Sequence, residues 1–180
     1  MLTDAERESA IRSLTKSRTA LLETVAGVTD EESRWKPAPD RWSILEYVEH
    51  LAISDDGLVD LVRRILDTPP SPETPAQRAE RIAKIAATKI ERGMNQAPER
   101  LQPKAKFANL QEAVDAFLAA RDRTLEFAKT TQADLTSHFA PHSVLGPLDG
   151  LQWLLGNTHH VYTHAGHIKE LRELWASRAV

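Results

Sequence analysis

The chain has 180 residues, 41% of them hydrophobic, which is enough to bury one sizeable core; it is read as a single domain over 1–180. A formal charge of −3 gives no electrostatic footprint for DNA, RNA or an anionic membrane surface. With no cysteine, disulfide frameworks, zinc ribbons, iron–sulfur clusters and cysteine nucleophiles are excluded, so any metal must draw its ligands from His, Asp and Glu.

The N-terminal stretch MLTDAERESAIRSL is acidic and amphipathic, without the basic start and apolar run of a signal peptide. No stretch approaches the roughly 18 apolar residues of a membrane helix, so a soluble, cytoplasmic protein without a membrane partner is expected. Thr3 with Glu6 marks the first helix start, because a capping side chain and an acid three residues on satisfy otherwise orphaned backbone donors. Ile11, Leu14, Leu21, Leu22 and Val25 keep the helical period behind it. The segment TDEESRW adds a short helical turn before the loop KPAPDRW.

Ser43 with Glu46 opens the second helix, striped by Ile44, Val48, Leu51, Leu58, Val62 and Ile65. The proline-rich break DTPPSPETP ends it. Residues 74–94 read as an additional short helix with a thin stripe of Ile82, Ile85 and Ile90, lying outside the bundle or leading toward a partner. Asn109 with Glu112 starts the third long helix, carrying Val114, Phe117, Leu118, Leu125 and Phe127. Asp149 with Gln152 starts the last, carrying Leu151, Leu154, Leu155, Val161, Ile168, Leu171 and Trp175. Strand signals are nearly absent, with neither β-branched alternation nor an Asn-Gly or Asp-Gly hairpin turn between two strand-like runs. The expected class is all-α, a four-helix bundle.

In the last helix, His160, His164 and His167 recur at i, i+4 and i+7. Successive imidazoles of the first pair lie about 40° apart and about 6 Å along the axis, so they can converge on one ion. Histidine is the commonest metal ligand. One helix rarely surrounds a cation, and His50 is the only histidine elsewhere on a predicted helix. His50, His160 and His164 would form a three-histidine site, leaving a coordination position for water or substrate. Against this stands the reading of His160 and His164 as an exposed or capped pair on an amphipathic helix and of His50 as a core-margin residue bonded to backbone or carboxylate. No His-Glu-x-x-His, Glu-x-x-His pair, Walker loop or Gly-x-Ser-x-Gly elbow occurs, which disfavours zincins, di-iron bundles, nucleotide binding and serine hydrolases.

His167 fits a ligand, a hydrogen-bonding neighbour of the ligands or a surface residue; the expected role is a neighbour that moves protons in catalysis. Asp55 continues the stripe Val48–Leu51–Asp55–Leu58, so it points toward the core. There it either orients a ligating imidazole, as a catalytic partner, or meets an arginine where the helix rolls to the surface. His159, about 100° from His160, reads as packing. His138 and His142 flank Pro141 and read as loop residues at the site's rim. Trp42, Trp153 and Trp175 read as packing anchors, and Trp35 as lining the entrance.

The stretch PAPDRWSILEYVEHLAISDD, with Trp42 and Ser43 opening a helix that carries His50 and Leu51, resembles the second-helix signature of the DinB-like (YfiT-like) superfamily. HVYTHAGHI resembles the same family's last-helix signature. The resemblance implies an up-down-down-up four-helix bundle and a divalent metal, usually zinc or nickel. His50 stands at the second-helix ligand position, and His160 and His164 at the last-helix pair. His167 stands where the family often has glutamine. The family also implies metal-dependent thiol-S-transferase chemistry with a low-molecular-weight thiol as cosubstrate, or hydrolase chemistry, on a small-molecule substrate. Homodimers occur in it. The competing expectation is a non-enzymatic, stress-related bundle in which the metal is structural or regulatory.

Overall fold

The structure, a computed structural model, describes residues 2–87 and 97–178. Helix α1 (Asp4–Val25) is followed by the short α2 (Asp30–Arg34), α3 (Ile44–Asp56) and α4 (Leu58–Leu66). Then come α5 (Pro75–Ala87), a 3-10 turn (Glu99–Leu101), α6 (Leu110–Thr130), strands β1 (Phe139–His142) and β2 (Gly146–Asp149), and α7 (Gly150–Ser177). All four long-helix starts lie where the caps place them. Thr3, Ser43, Asn109 and Asp149 each accept a hydrogen bond from the backbone N–H three residues on.

Side-chain ties fix the direction of each bundle helix. Leu2 and Ala10 share a buried cluster with Leu151 and Leu154, while Leu21 and Val25 share one with Ile168 and Leu171, so α1 and α7 run parallel. Glu49 meets the chain just ahead of α6 and Asp55 meets Arg121 further along it, so α3 and α6 are also parallel. Arg7 at the start of α1 donates to the Ala128 and Thr131 carbonyls at the end of α6 (2.7 and 2.8 Å), which makes those two antiparallel. The order is therefore up-down-down-up. The apolar stripes face inward between these helices; Leu14, Leu21, Leu51, Phe117, Leu154 and Ile168 are all buried. Burial at this scale is the dominant force holding the layers together.

Two expectations change on contact with the structure, and a third is met over its described part. The second helix is two, α3 and α4, interrupted at Gly57, whose N–H still donates to the Ile53 carbonyl. The loop before α7 folds into an antiparallel hairpin, with Phe139 opposite Asp149 and Pro141 opposite Pro147. Proline lacks a ladder donor and is confined to edges; in a two-stranded ribbon both strands are edges, so the motif survives while hiding its strand signal. Of the extra helix expected over 74–94, Pro75–Ala87 forms α5, on which Ile82 is 47% exposed; residues 88–94, Ile90 among them, lie outside the described residues. Arg81 of α5 reaches Glu73, Asp149 and Gln152, and Arg78 reaches Glu6, docking the segment by ion pairs and hydrogen bonds at the N-terminal ends of α1 and α7. No helix among the described residues is long and apolar enough to cross a membrane.

Candidate metal centre

The Ser43–Glu46 capping box sets the start of α3, and Glu46 is further held by Lys36 at 2.7 Å. From that fixed start the fourth position of the second turn turns His50 inward, 3% exposed. On the antiparallel α7, His160 and His164 lie one turn apart with ring centroids 4.5 Å from each other. The Nε2 of His160 is 2.9 Å from the Nε2 of His50 and 2.9 Å from that of His164. Among the described residues, these three offer ligand atoms that all lie within 4.8 Å of one another.

Protons alone do not satisfy this arrangement. His50 Nδ1 donates to the Leu101 carbonyl at 2.7 Å, which assigns its proton to that nitrogen and leaves a lone pair on Nε2. His160 Nε2 then has at most one proton to share between two neighbours. A cation accepting all three lone pairs removes the conflict, and a backbone carbonyl orienting the far side of a ligating ring is the usual supporting contact. Burial lowers the pKa of all three imidazoles. Desolvation, followed by the neighbouring His50, takes His160 to about 3; desolvation and then His160 lower His164; desolvation lowers His50 against the opposing Leu101 hydrogen bond. Neutral imidazole is the metal-binding form. The residues present therefore fit a divalent cation with nitrogen ligands.

Aromatic rings brace the cluster. Trp42 lies 5.0 Å from the His50 ring and 6.3 Å from His164, so it packs on the site itself. Tyr47 lies 5.2 Å from His164 and 5.4 Å from His167. His164 Nδ1 is buried without a hydrogen-bond partner among the described residues, so packing is what orients that ring.

The remaining sequence-predicted residues are distributed as follows. His167 stands beside the cluster, its ring 5.4 Å from that of His164. Asp55 is buried, as its stripe implies, yet it faces no imidazole. Its partners are Arg121, at 2.6–2.8 Å, and the Thr124 hydroxyl, at 3.0 Å. The arginine of the alternative reading is thus found, in the core instead of at the surface. His159 is exposed, not packed. His138, just ahead of β1, donates from Nδ1 to the Thr68 carbonyl (2.7 Å) past the end of α4, and the tilted His142 ring at the end of β1 lies 5.3 Å from that of Trp153 in the first turn of α7. Trp35 pairs edge-on with Trp175 at 5.8 Å.

Sequence reasoning missed Glu49, Leu101, Arg121 and Asn157. Glu49 is buried and accepts from the backbone N–H groups of Lys104 (2.6 Å) and Lys106 (3.2 Å), holding the loop that brings Leu101 to His50. Arg121 has a readable signal, since Phe117, Arg121 and Leu125 step by four along one face.

Comparisons with known proteins agree with this geometry. The model of the DinB superfamily matches residues 13–168. The uncharacterized protein YuaE of Bacillus subtilis is 24% identical over 157 residues, covering 86% of this chain and 93% of that one. Among solved structures, YfiT from Bacillus subtilis superposes with a TM-score of 0.64 at 15% identity, covering 98% of this chain and 91% of its own; it is described as a probable metal-dependent hydrolase with an unusual four-helix bundle topology. TT2238, described as a four-helix bundle protein, superposes with a TM-score of 0.58 at 21% identity, covering 90% and 96% of the two chains. With its fold matched by these bundles and its sequence by the family model over most of its length, the chain belongs to the DinB superfamily.

Proposed function

We propose that the protein is a metal-dependent enzyme acting on a small molecule, with hydrolysis as its chemistry, and that His50, His160 and His164 hold a divalent cation of the zinc or nickel class. The observation that carries this reading is the convergence of three Nε2 atoms from two antiparallel helices. A divalent cation with three protein ligands supplies Lewis acidity and a nucleophile at neutral pH. The chain's own residues do the rest. Leu101 fixes the His50 tautomer, and Trp42 and Tyr47 hold the rings and exclude water from one side. His167, adjacent to His164, carries a proton to or from the substrate. Asp55, committed to Arg121 and Thr124, takes no part in proton transfer.

The test is made on protein purified without a histidine tag. Elemental analysis is expected to find near-stoichiometric divalent metal in the wild type and little in His50→Ala; full occupancy in that variant refutes the ligand set. Metal-loaded protein is then offered small esters and amides, and in parallel electrophiles with bacterial low-molecular-weight thiols, with products read by mass spectrometry. Hydrolysis lost in His50→Ala is the expected result. Thiol adducts instead would move the assignment to S-transfer, for which a thiol cosubstrate must come from solution because the chain has no cysteine. Turnover surviving removal of all three histidines would rule out the metal mechanism.

A further inference from the structure

The Arg121 guanidinium is fully buried and joins all four bundle helices. From α6 its Nε donates to Asp55 Oδ2 on α3 (2.8 Å), with Nη2 in ion-pair range of the same oxygen (2.6 Å); Nη2 donates to Asn157 Oδ1 on α7 (2.6 Å), and Nη1 to Ser17 Oγ on α1 (3.2 Å). Thr124 donates to the second Asp55 oxygen at 3.0 Å, so neither carboxylate oxygen is left unmet. A buried ion pair is a weak source of stability, because desolvation offsets the attraction and apolar replacements are often neutral or better. Fixing registry is the best-attested use of such a group.

We infer that the Asp55–Arg121–Asn157 strut sets the register between α3 and α7 that makes the three histidines converge, so Arg121 and Asn157 are positioning residues for the metal. The helical rise supports this. Measured from the strut in the same direction in space, His50 is five residues from Asp55, about 7.5 Å along the axis, while His160 and His164 are three and seven residues from Asn157, about 4.5 and 10.5 Å. His50 therefore falls midway between the two α7 imidazoles. A slip of a single residue would displace α7 by about 1.5 Å and rotate its side chains by about 100°, enough to break a 2.9 Å convergence. Apolar ridges alone tolerate such slips better than a forked hydrogen bond does.

The inference rests on the metal reading above, and the experiment separates the two. Wild type, Asn157→Leu, Asn157→Ala and Asn157→Asp are titrated with zinc against a chromophoric chelator well below their melting temperatures, and the metal-free forms are melted in parallel. Asn157→Leu and Asn157→Ala lose the acceptor and are expected to bind zinc roughly 10–100-fold more weakly, the range for supporting contacts; metal-free melting falls as well, because a buried Arg121 N–H loses its partner, but by amounts that do not scale with the loss of affinity. Asn157→Asp keeps an acceptor oxygen for Arg121 and should bind close to wild type. Wild-type protein that takes up no zinc overturns the metal reading and this inference with it. Wild-type binding with unchanged affinity in both truncations overturns the inference alone, as does an Asp variant as weak as the truncations. Affinity losses that merely track losses in melting temperature would also overturn it, by marking the strut as general stability.

Discussion

At Gly27 the backbone enters the left-handed region, with φ at +72°, two residues past the end of α1 at Val25. A residue with a Cβ is strained there by about 1–2 kcal/mol, whereas glycine is not. An added Cβ would meet no atom within 4 Å, so the backbone cost acts alone. Gly27→Ala is therefore expected to lower the melting temperature by about 2–8 °C for a chain of this size, and an unchanged melting curve would mean that the turn is not held in this conformation. The same scale shows why some site residues were readable and others were not. His160 and His164 are visible because i, i+4 spacing is a property of the sequence itself. Asp55 was visible as an acid in an apolar stripe, but its partner was not, since pairing across helices is a tertiary fact. Arg121 sits in the run RDR, where it passes for a solvated charge unless its four-residue steps to Phe117 and Leu125 are followed. Leu101 acts through a carbonyl oxygen, which every residue has and no side-chain pattern announces.

Among the elements, helix starts were the most legible because a cap is written within four consecutive residues. The Gly57 break and the hairpin were not, since both depend on what packs around them. The segment from Leu101 to Lys106 shows the same dependence: it has little regular structure, yet two neighbouring residues of α3 hold it, Glu49 by its carboxylate and His50 by its Nδ1–H. Glu49→Ala would leave the Lys104 and Lys106 N–H groups without their acceptor, at a cost of about 1–3 kcal/mol. The loop would then loosen and withdraw the Leu101 carbonyl from His50. Faster amide exchange at 104 and 106, together with weaker zinc binding, is the expected outcome. Glu49→Gln retains an acceptor oxygen and should restore part of both. Amides that stay as protected as in the wild type would show that the loop is held by other contacts.

Across the whole molecule, α3 packs chiefly on α6 and α7 chiefly on α1, so the bundle is two parallel pairs laid against each other. The histidine cluster lies on the α3–α7 seam, the thinner of the contacts between the pairs. A ligand that binds the folded state alone stabilises it by mass action, about 2.7 kcal/mol when its free concentration is a hundredfold above the dissociation constant. For a domain of this length that corresponds to roughly 5–11 °C in melting temperature. Zinc-loaded wild type should therefore melt several degrees higher than the same protein after chelation. In His50→Ala the α3 ligand is gone, so a cation can no longer tie the two pairs, and chelator should leave the curve where it was. An equal drop in that variant would place the stabilising metal elsewhere on the chain. No drop in wild type whose zinc content has been verified would mean that the bound ion does not join α3 to α7, because a cation shared between two helices cannot leave without releasing the seam it closes.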